Sequence, residues 1–127
     1  SKSSSTKNKE IFFTNGYYDN VSRERILYLE KLNEFEGIRI VAINSDISIK
    51  NQGHEPQLRE NDRLRLLQMF DCIDYILIFD DTDCKQVLEP LKPDYFLKGK
   101  NFEGKEIEEA EILKKINCQI KFIDIYS

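Results

Sequence analysis

The chain has 127 residues, which is enough for one domain with one hydrophobic core. Hydrophobic residues make up 40% of it and charged residues 33%, and no apolar run approaches membrane-spanning length, so we expect no membrane partner. The formal net charge of -4 argues against a nucleic-acid partner, which would favour a basic surface.

The first ten residues are rich in serine and lysine and predict a disordered lead or an expression-derived remnant. From residue 11 onwards, short apolar segments alternate with segments of helical periodicity. The predicted strands are residues 11–14, 38–43, 75–79, 95–97 and 119–125. The predicted helices are residues 21–35, 61–70, 83–91 and 105–116, and the polar residues 44–60 are predicted to form a loop.

Strands that alternate with helices indicate an α/β fold, a doubly wound and mostly parallel Rossmann-like sheet of five strands covered on both faces. In such sheets, ligands bind outside the carboxyl ends of the strands, where the strand order reverses. Polar residues follow the predicted strands at these ends, at Thr14-Asn15-Gly16, Asn44-Ser45-Asp46, Asp80-Asp81 and Lys98-Gly99. The sequence therefore predicts a ligand site at this edge of the sheet.

The cysteines and the histidine limit the chemistry of that site. Cys72, Cys84 and Cys118 are odd in number and lack the spacing of metal ligands. Because no secretory signal is recognisable, we expect three reduced and mostly buried thiols in a cytoplasmic protein. His54 is the only histidine, which makes a metal site built from several histidines an unsuitable interpretation.

The segment from Ile11 to Leu29 reads IFFTNGYYDNVSRERILYL and predicts a strand, a tight turn and a helix. In this layout a helix N-terminus can bind a phosphate, and Gly16 lets backbone amides approach it. The segment resembles the first motif of the cytidylyltransferase-like nucleotidyltransferases, closest to the branch acting on heptose or glycerol phosphates. In that family F-T-N-G-C-F-D is followed, after two residues, by H-x-G-H.

Both histidines of that motif are absent from this chain, where Ser22 and Arg25 occupy their positions and Glu24 occupies that of the glycine. In the family the histidines hold the triphosphate and stabilise the charge that builds on the attacked phosphorus. The resemblance therefore predicts that no catalytic pair is intact. The alternative interpretation of the segment is an ordinary strand-to-helix turn, with Asp19 or Asn20 as the N-cap.

The arginine at position 25 has two interpretations. Arg25 shares a helical stripe with Val21, Tyr28 and Leu32, so its side chain is expected to point inward or toward the site. There, a guanidinium can bind a phosphate through two hydrogen bonds. A solvated first helical turn is the alternative for Arg25, and it is our prediction for the two residues before it.

Later segments extend the resemblance. Residues 44–56, NSDISIKNQGHEP, are similar to a family segment V-N-x-D-x-S and the loop after it, and they offer Lys50 and His54. A catalytic role and a plain surface position are both open for His54. Asn61-Asp62-Arg63 matches the family's A-D-R, in which Arg63 is either a phosphate ligand or a salt-bridge partner.

Residues 92–102, KPDYFLKGKNF, resemble the family's R-P-D-x-x-x-K-G-x-x-Y/F and place Lys98 beside the site, although a plain surface lysine is the alternative. The resemblance covers residues 11–127, which we assign to one nucleotidyltransferase-like domain. The family continues with a Ser/Thr-rich motif that opens a final helix, and we expect this domain to lack that helix. The nucleotide-binding residues implied by the resemblance are Thr14, Asn15, Gly16, Tyr17, Tyr18, Asp19, Arg25, Asn44, Arg63, Lys98 and Gly99.

The resemblance implies transfer of a nucleotidyl group from CTP or ATP to a sugar or polyol phosphate, with Mg²⁺ and release of pyrophosphate. Because the catalytic pair is missing, our main hypothesis is a domain that has lost or weakened this transfer and keeps the fold as a binding or assembly module. A homodimer and a place in a larger polypeptide are compatible with the resemblance. The alternatives are an active enzyme that uses Arg25, Lys98 and His54, and an interaction scaffold without a ligand.

Overall fold

The computed structural model describes residues 9–127, so most of the predicted disordered lead lies outside the described residues. The strands are β1 (Ile11–Gly16), β2 (Ile38–Asn44), β3 (Tyr75–Phe79), β4 (Tyr95–Gly99) and β5 (Gln119–Ile123). They form one parallel sheet in the order β3-β2-β1-β4-β5. The α-helices are α1 (Arg23–Glu30), α2 (Asp46–Asn51), α3 (Glu60–Leu67), α4 (Lys85–Leu91) and α5 (Ala110–Lys115), and short 3-10 helices span Lys31–Glu34 and Lys100–Phe102.

Helices cover both faces of the sheet because successive strand residues point to opposite sides. On one face, Phe12 of β1 packs in a buried cluster with Leu29 of α1. On the other face, Phe13 of β1 packs in a second cluster with Leu88 of α4 and Leu113 of α5. The doubly wound, Rossmann-like fold predicted from the alternation of strands and helices is confirmed. In the described part of the chain, no helix is long and apolar enough to cross a membrane.

The strand order reverses between β1 and β4. After β1 the chain forms β2 and β3 on one side, and it then crosses over to form β4 and β5 on the other side. At such a reversal the connections leave the carboxyl ends of the two central strands in opposite directions and open a crevice. This crevice is the place where the sequence predicted a ligand.

The first helix begins two residues later than predicted, and its cap differs from the one expected. Ser22 is the N-cap, and its hydroxyl accepts a hydrogen bond of 3.1 Å from the backbone N–H of Arg25. The alternative of Asp19 or Asn20 as the cap is therefore wrong. Val21 lies before the helix and is 54% exposed, so its predicted place on the inward stripe is also wrong.

The largest further differences from the prediction are at α2 and α5. Helix α2 lies within residues 44–60, where a loop was expected. Ser45 is its N-cap, and the Ser45 hydroxyl accepts a hydrogen bond of 3.1 Å from the backbone N–H of Ser48. Ile49 of this helix is fully buried. Six residues are too few to show a helical repeat, which is why periodicity missed this helix. The predicted helix over residues 105–116 is α-helical only from residue 110 to 115, which leaves Glu109 at the N-cap position.

Candidate functional site

A cavity of about 800 Å³ lies beside the carboxyl ends of β1, β4 and β5, a volume within the range of ligand sites. Four segments line it: the end of β1 with the turn after it, helix α1 with its cap, and the carboxyl ends of β4 and of β5 with the residues that follow each. The lining residues are Thr14, Asn15, Tyr18, Asn20, Ser22, Glu24, Arg25, Tyr28, Lys98, Gly99, Lys100, Asn101, Phe102, Ile123, Asp124, Ile125 and Tyr126.

Arg25 brings a positive charge into the cavity, which favours the site-facing interpretation of this residue over the solvated helical turn. The Cζ atom of Arg25 lies 5.0 Å from the centre of the Tyr18 ring, so the guanidinium and the ring form a cation–π contact. A Cβ at Gly16 would lie 3.0 Å from Cε2 of Tyr18, so glycine permits this close packing. Nε of Arg25 is buried and has no hydrogen-bond partner among residues 9–127. The Tyr18 ring therefore positions the guanidinium, whose Nε has no partner in the described part of the chain.

Lys98, near the end of β4, is a second cation in the cavity lining. The Nζ atom of Lys98 lies 5.4 Å from the centre of the Phe96 ring and 4.9 Å from that of Phe102. Within the described residues, Lys98 takes part in no ion pair. Lys100, in contrast, lies 3.8 Å from the carboxylate of Asp124. Lys98 and Arg25 are thus the cations that the cavity presents without an acidic partner in residues 9–127.

A hydrogen-bonded chain ties β1, β4 and α1 together at the cavity wall. The hydroxyl of Thr14 donates to the carbonyl of Leu97 over 3.2 Å, so it accepts from the Tyr28 hydroxyl at 2.9 Å. Burial raises the pKa of Tyr28 well above its ordinary value, and burial raises the pKa of Tyr18 to about 12 although Arg25 opposes the shift. Both phenols are therefore neutral at pH 7, and the negative charge of the cavity comes from carboxylates alone.

Comparison with known proteins decides the family. Residues 13–125 match the family described as "Cytidylyltransferase-like". The chain belongs to this cytidylyltransferase-like family. The family predicted from the motifs is thereby confirmed, and the relatives fit the predicted branch.

The relatives include "Bifunctional protein HldE" from Campylobacter curvus (strain 525.92), 34% identical over 118 residues that cover 91% of this chain and 25% of that protein. The protein of the same name from Helicobacter pylori (strain P12) is 35% identical over 121 residues, covering 94% of this chain and 26% of that protein. The chain thus spans about a quarter of the length of these relatives.

A crystal structure of the lipopolysaccharide core biosynthesis protein from Thermoplasma volcanium GSS1 has the same fold. Its TM-score is 0.71, and the match covers 92% of this chain and 96% of that one. The sequence identity is 23%, so this likeness bears on the fold alone.

Several predicted ligand residues of this cytidylyltransferase-like domain lie outside the cavity, and Arg63 is the clearest case. Its side chain is fully buried, and it donates to the carbonyls of Tyr17 at 2.8 Å, Asn44 at 2.6 Å and Leu58 at 3.0 Å. It also pairs with the carboxylate of Asp46 at 2.9 Å. With its donors directed at these groups, Arg63 holds the loops after β1 and β2 together. The structure thus favours the structural interpretation over the ligand role for Arg63.

Asp19 and Asn44 also act within the protein. The carboxylate of Asp19 accepts from the backbone N–H groups of Gln57 at 2.8 Å and Leu58 at 2.7 Å. The amide of Asn44 is buried and donates to the hydroxyl of Ser48 at 3.0 Å. These family positions shape the loops around the site instead of lining the cavity.

The remaining candidates separate in the same way. Gly16 abuts Tyr18 and Arg25 but does not line the cavity itself, and the Tyr17 ring instead meets His54, with ring centres 6.1 Å apart. His54 and Lys50 are exposed and lie outside the cavity lining. The predicted residues that the structure does bring together are Thr14, Asn15, Tyr18, Ser22, Arg25, Lys98 and Gly99.

Sequence reasoning missed a buried polar cluster behind Asn15. The amide nitrogen of Asn15 donates to the sulfur of Cys84 at 3.3 Å, and that sulfur lies 3.9 Å from Oε2 of Glu109. Burial, and then the charge of Glu109, raises the pKa of Cys84 to about 12, although Lys98 opposes the shift. Glu109 lies within EIEEAEI, and such an acidic run is typical of a solvated helix face. The sequence carries no signal of its burial, because the late start of α5 is seen only in the structure.

Proposed function

We propose that this cytidylyltransferase-like domain binds a phosphorylated ligand in its cavity, has lost or weakened nucleotidyl transfer, and serves as a binding or assembly module. The observation that carries the proposal is that the two positions where the family has histidines hold residues with different roles in this structure. Arg25 lines the cavity with a guanidinium that forms no ion pair with another described residue, and its buried Nε has no hydrogen-bond partner among residues 9–127. The Ser22 hydroxyl is held at the helix N-terminus as its cap. Phosphate binding therefore keeps a strong donor, while transition-state stabilisation loses one.

The chemistry of the transfer explains why this loss matters. An oxygen of the acceptor phosphate forms a bond to the α-phosphorus of CTP or ATP while the bond to pyrophosphate breaks. Catalysis is mostly positioning and stabilisation of charge on the phosphoryl oxygens. Removal of one well-placed donor typically lowers the rate about a hundred- to a thousandfold. Ser22 is shorter than histidine and uncharged, and Glu24 adds a negative charge at the cavity that opposes a triphosphate unless a metal ion neutralises it.

Mg²⁺ would enter with the nucleotide, because in such sites the ion is held largely by the substrate's phosphates. Glu24 and Asp124 line the cavity and are the carboxylates that would complete its coordination. Elsewhere in residues 9–127, no group of three His, Cys, Asp or Glu side chains is arranged to hold a metal ion. The donor set thus fits an ion that arrives with a nucleotide.

A second candidate function is an active nucleotidyltransferase in which Arg25 and Lys98 replace the histidines. One observation favours it: both cations line one cavity, and neither forms an ion pair with another described residue. His54 is not part of this alternative, because it lies outside the cavity lining. In this case the guanidinium and the ammonium would stabilise the charge that develops on the phosphoryl oxygens.

Calorimetric titration of CTP and then ATP, each with Mg²⁺, tests the binding proposal. We expect saturable binding to the wild-type chain and an affinity at least about tenfold lower for Arg25→Ala, because a charge-assisted hydrogen bond is lost. Arg23→Ala is the matched control, since Arg23 is an exposed arginine two residues away. Equal affinities for the two variants would contradict the role of Arg25, and no binding to the wild type would leave the interaction scaffold.

Measurement of pyrophosphate release separates the two candidates. Binding without release supports the impaired module, whereas turnover that disappears in Arg25→Ala supports the active enzyme. We further propose that the domain works within a larger polypeptide, since its relatives are named as bifunctional proteins about four times as long. The homodimer implied by the resemblance stays a prediction, which sedimentation velocity would test.

A further inference from the structure

A buried carboxylate lies behind the cavity without a cation in direct contact. Glu109 is 5% exposed, and it forms no ion pair with another residue in the range 9–127. Its Oε2 atom lies 3.9 Å from the sulfur of Cys84, whereas its buried Oε1 atom has no hydrogen-bond partner in the same range. A carboxylate withdrawn from water is costly unless a positive charge lies nearby. The burial of Glu109 therefore calls for a cation on this face of the sheet.

The pairing of β1 with β4 brings Lys98 to this face. Phe13 of β1 pairs with Phe96 of β4, and both rings belong to the core covered by α4 and α5. Extended by two residues along both strands, the same register places Asn15 opposite Lys98 on that face. The Nζ atom of Lys98 lies 5.4 Å from the centre of the Phe96 ring, so the ammonium stays over this side of the sheet.

A fully buried thiol connects the two charged groups. The amide of Asn15, which lies beside Lys98, donates to the sulfur of Cys84 at 3.3 Å, and this is the sulfur that Glu109 contacts. Burial is the main cause of the raised pKa of Cys84, the charge of Glu109 raises it further, and the charge of Lys98 opposes the shift. The carboxylate and the ammonium thus act on one sulfur atom, although they form no direct ion pair.

We propose that Glu109 is the counter-charge of Lys98, a positioning residue that holds the ammonium toward the sheet and lowers the affinity of the cavity for phosphate. Charges inside a protein attract each other beyond contact distance, because little water lies between them to screen the attraction. A phosphate in the cavity has to compete with Glu109 for Lys98. The inference rests on the proposed function, since it takes phosphate as the ligand of the cavity.

Calorimetric titration of pyrophosphate measures the effect of this carboxylate. Glu109→Gln removes the charge and nearly keeps the shape, so we expect it to bind pyrophosphate at least about threefold more tightly than the wild type. Glu109→Asp keeps the charge, and Glu108→Gln removes a charge from the exposed neighbour that water screens; both should stay within about twofold of the wild type. A merely structural role of Glu109 would not produce a gain, because damage to the fold weakens binding.

A double-mutant cycle tests whether Glu109 acts through Lys98. Lys98→Met removes the ammonium and should weaken the binding of pyrophosphate at least about threefold, because a charge-assisted contact is lost. When Glu109→Gln is added to Lys98→Met, the gain should fall below about twofold, because no ammonium is left for the carboxylate to hold. An undiminished gain in the double variant would mean that Glu109 acts on the ligand directly, which contradicts the positioning role.

The remaining outcomes separate this inference from the proposed function. If the wild type binds pyrophosphate and a folded Glu109→Gln variant binds it no more tightly, the inference is overturned and the phosphate site stands. If neither protein binds pyrophosphate, the proposed function fails together with the inference.

Thermal unfolding checks the fold of Glu109→Gln. If that variant does not fold, carbon-13 NMR of the wild type decides, because it needs no substitution. Saturation with pyrophosphate should then shift the carboxyl resonance of Glu109 as Lys98 turns toward the ligand, and an unchanged resonance would overturn the inference.

Discussion

Tyr18 shows how one residue prepares the site. It has a left-handed backbone with φ of 52°, which costs a non-glycine residue of order 1 kcal/mol. In return the ring is buried between Gly16 and the guanidinium of Arg25. The family motif has phenylalanine at this position, so an aromatic ring agrees with the motif, and in this chain the ring contacts an arginine. The strain is thus associated with the residue that holds the cation.

Substitution of Tyr18 should therefore change anion binding according to whether the ring is kept. Tyr18→Phe keeps the ring and should bind pyrophosphate like the wild type. Tyr18→Leu removes a cation–π contact of about 0.5–1 kcal/mol and should weaken the affinity about two- to fivefold. Calorimetric titration of pyrophosphate into both variants measures the effect, and a Tyr18→Leu affinity equal to that of Tyr18→Phe would contradict it.

Restoring the family motif provides a residue-scale test of lost catalysis. The triple variant Ser22→His, Glu24→Gly, Arg25→His returns both donors and removes a negative charge from the cavity. We expect pyrophosphate release with CTP or ATP and sugar phosphates to rise about a hundredfold or more. The single variant Glu24→Gly is the control, because it removes the charge without adding donors. No gain in the triple variant would show that other features also prevent turnover.

At the scale of elements, Arg63 of α3 joins the loops after β1 and β2. Its donors reach three backbone carbonyls and Asp46, and no part of its side chain is exposed. Satisfied buried charges of this kind stabilise only as a complete set, because each partner left alone is costly to bury. The loops at the carboxyl edge of the sheet therefore depend on one side chain that never touches the cavity.

Removal of Arg63 should destabilise the domain strongly. We expect Arg63→Ala to lower the free energy of unfolding by about 3–5 kcal/mol, because it leaves a carboxylate and several carbonyls without their partner. Arg65→Ala is the matched control; the Arg65–Asp62 pair is 2.7 Å long but mostly exposed, so its loss should cost less than about 1 kcal/mol. Urea denaturation followed by circular dichroism compares the two, and similar midpoints would contradict the prediction.

A second element-scale contact gives a pH dependence. The carboxylate of Asp74, just before β3, accepts from the backbone N–H of Arg39 at 2.7 Å and from its Nε at 3.1 Å. Partial burial acts to raise the pKa of Asp74, but the hydrogen bonds from Arg39 outweigh it and hold the pKa below its ordinary value.

Because the pKa of Asp74 is lower in the folded chain, its contribution to stability is present above the unfolded pKa of about 4 and is lost as the pH falls through the folded pKa. We expect Asp74→Asn to lower the free energy of unfolding at pH 7 and to flatten its decline between about pH 5 and pH 2. Asp71→Asn, at an exposed neighbouring carboxylate, should keep the wild-type profile. Urea denaturation at several pH values measures both, and parallel profiles for wild type and Asp74→Asn would contradict the assignment.

At the scale of the whole molecule, the sheet separates two hydrophobic cores, and the reactivity of the three thiols depends on how well these cores exclude solvent. Cys72 and Cys84 are buried on opposite faces, and Cys118 is half-buried. Burial raises the pKa of Cys72, that of Cys84 to about 12 and that of Cys118 to about 11. The prediction of three unpaired thiols agrees with the structure, in which all three cysteines are free.

The thiols of the native domain should therefore react slowly. Because burial raises the pKa of each cysteine, all three thiols remain protonated at pH 8. A protonated thiol is far less nucleophilic than a thiolate. We expect iodoacetamide to label Cys118 first and the other two only as the domain unfolds, so that all three react quickly in urea. Mass spectrometry of timed samples measures this order, and rapid labelling of Cys84 in the native domain would contradict it.

Much of the architecture could be predicted from the sequence because its determinants are local. Apolar runs such as IRIVAI and YILIF form strands, and their alternation with helical segments is enough for a doubly wound sheet. The short helix after Ser45 was missed because six residues are too few to show helical periodicity. Helix α1 begins later than predicted because the Ser22 side chain caps it.

The sequence by itself determined the family, the order of the strands and of all helices except α2, and the presence of Arg25, Lys98 and Asn15 near one end of the sheet. Local patterns and motif spacing carry that information. Only the tertiary structure decided which polar residues line the cavity and which form hydrogen bonds within the protein. Arg63 is directed to backbone carbonyls and Glu109 lies beside Cys84, and both placements depend on contacts between segments far apart in the chain. Burial and hydrogen-bond partnership are properties of such long-range packing, which no spacing of residues along a sequence records.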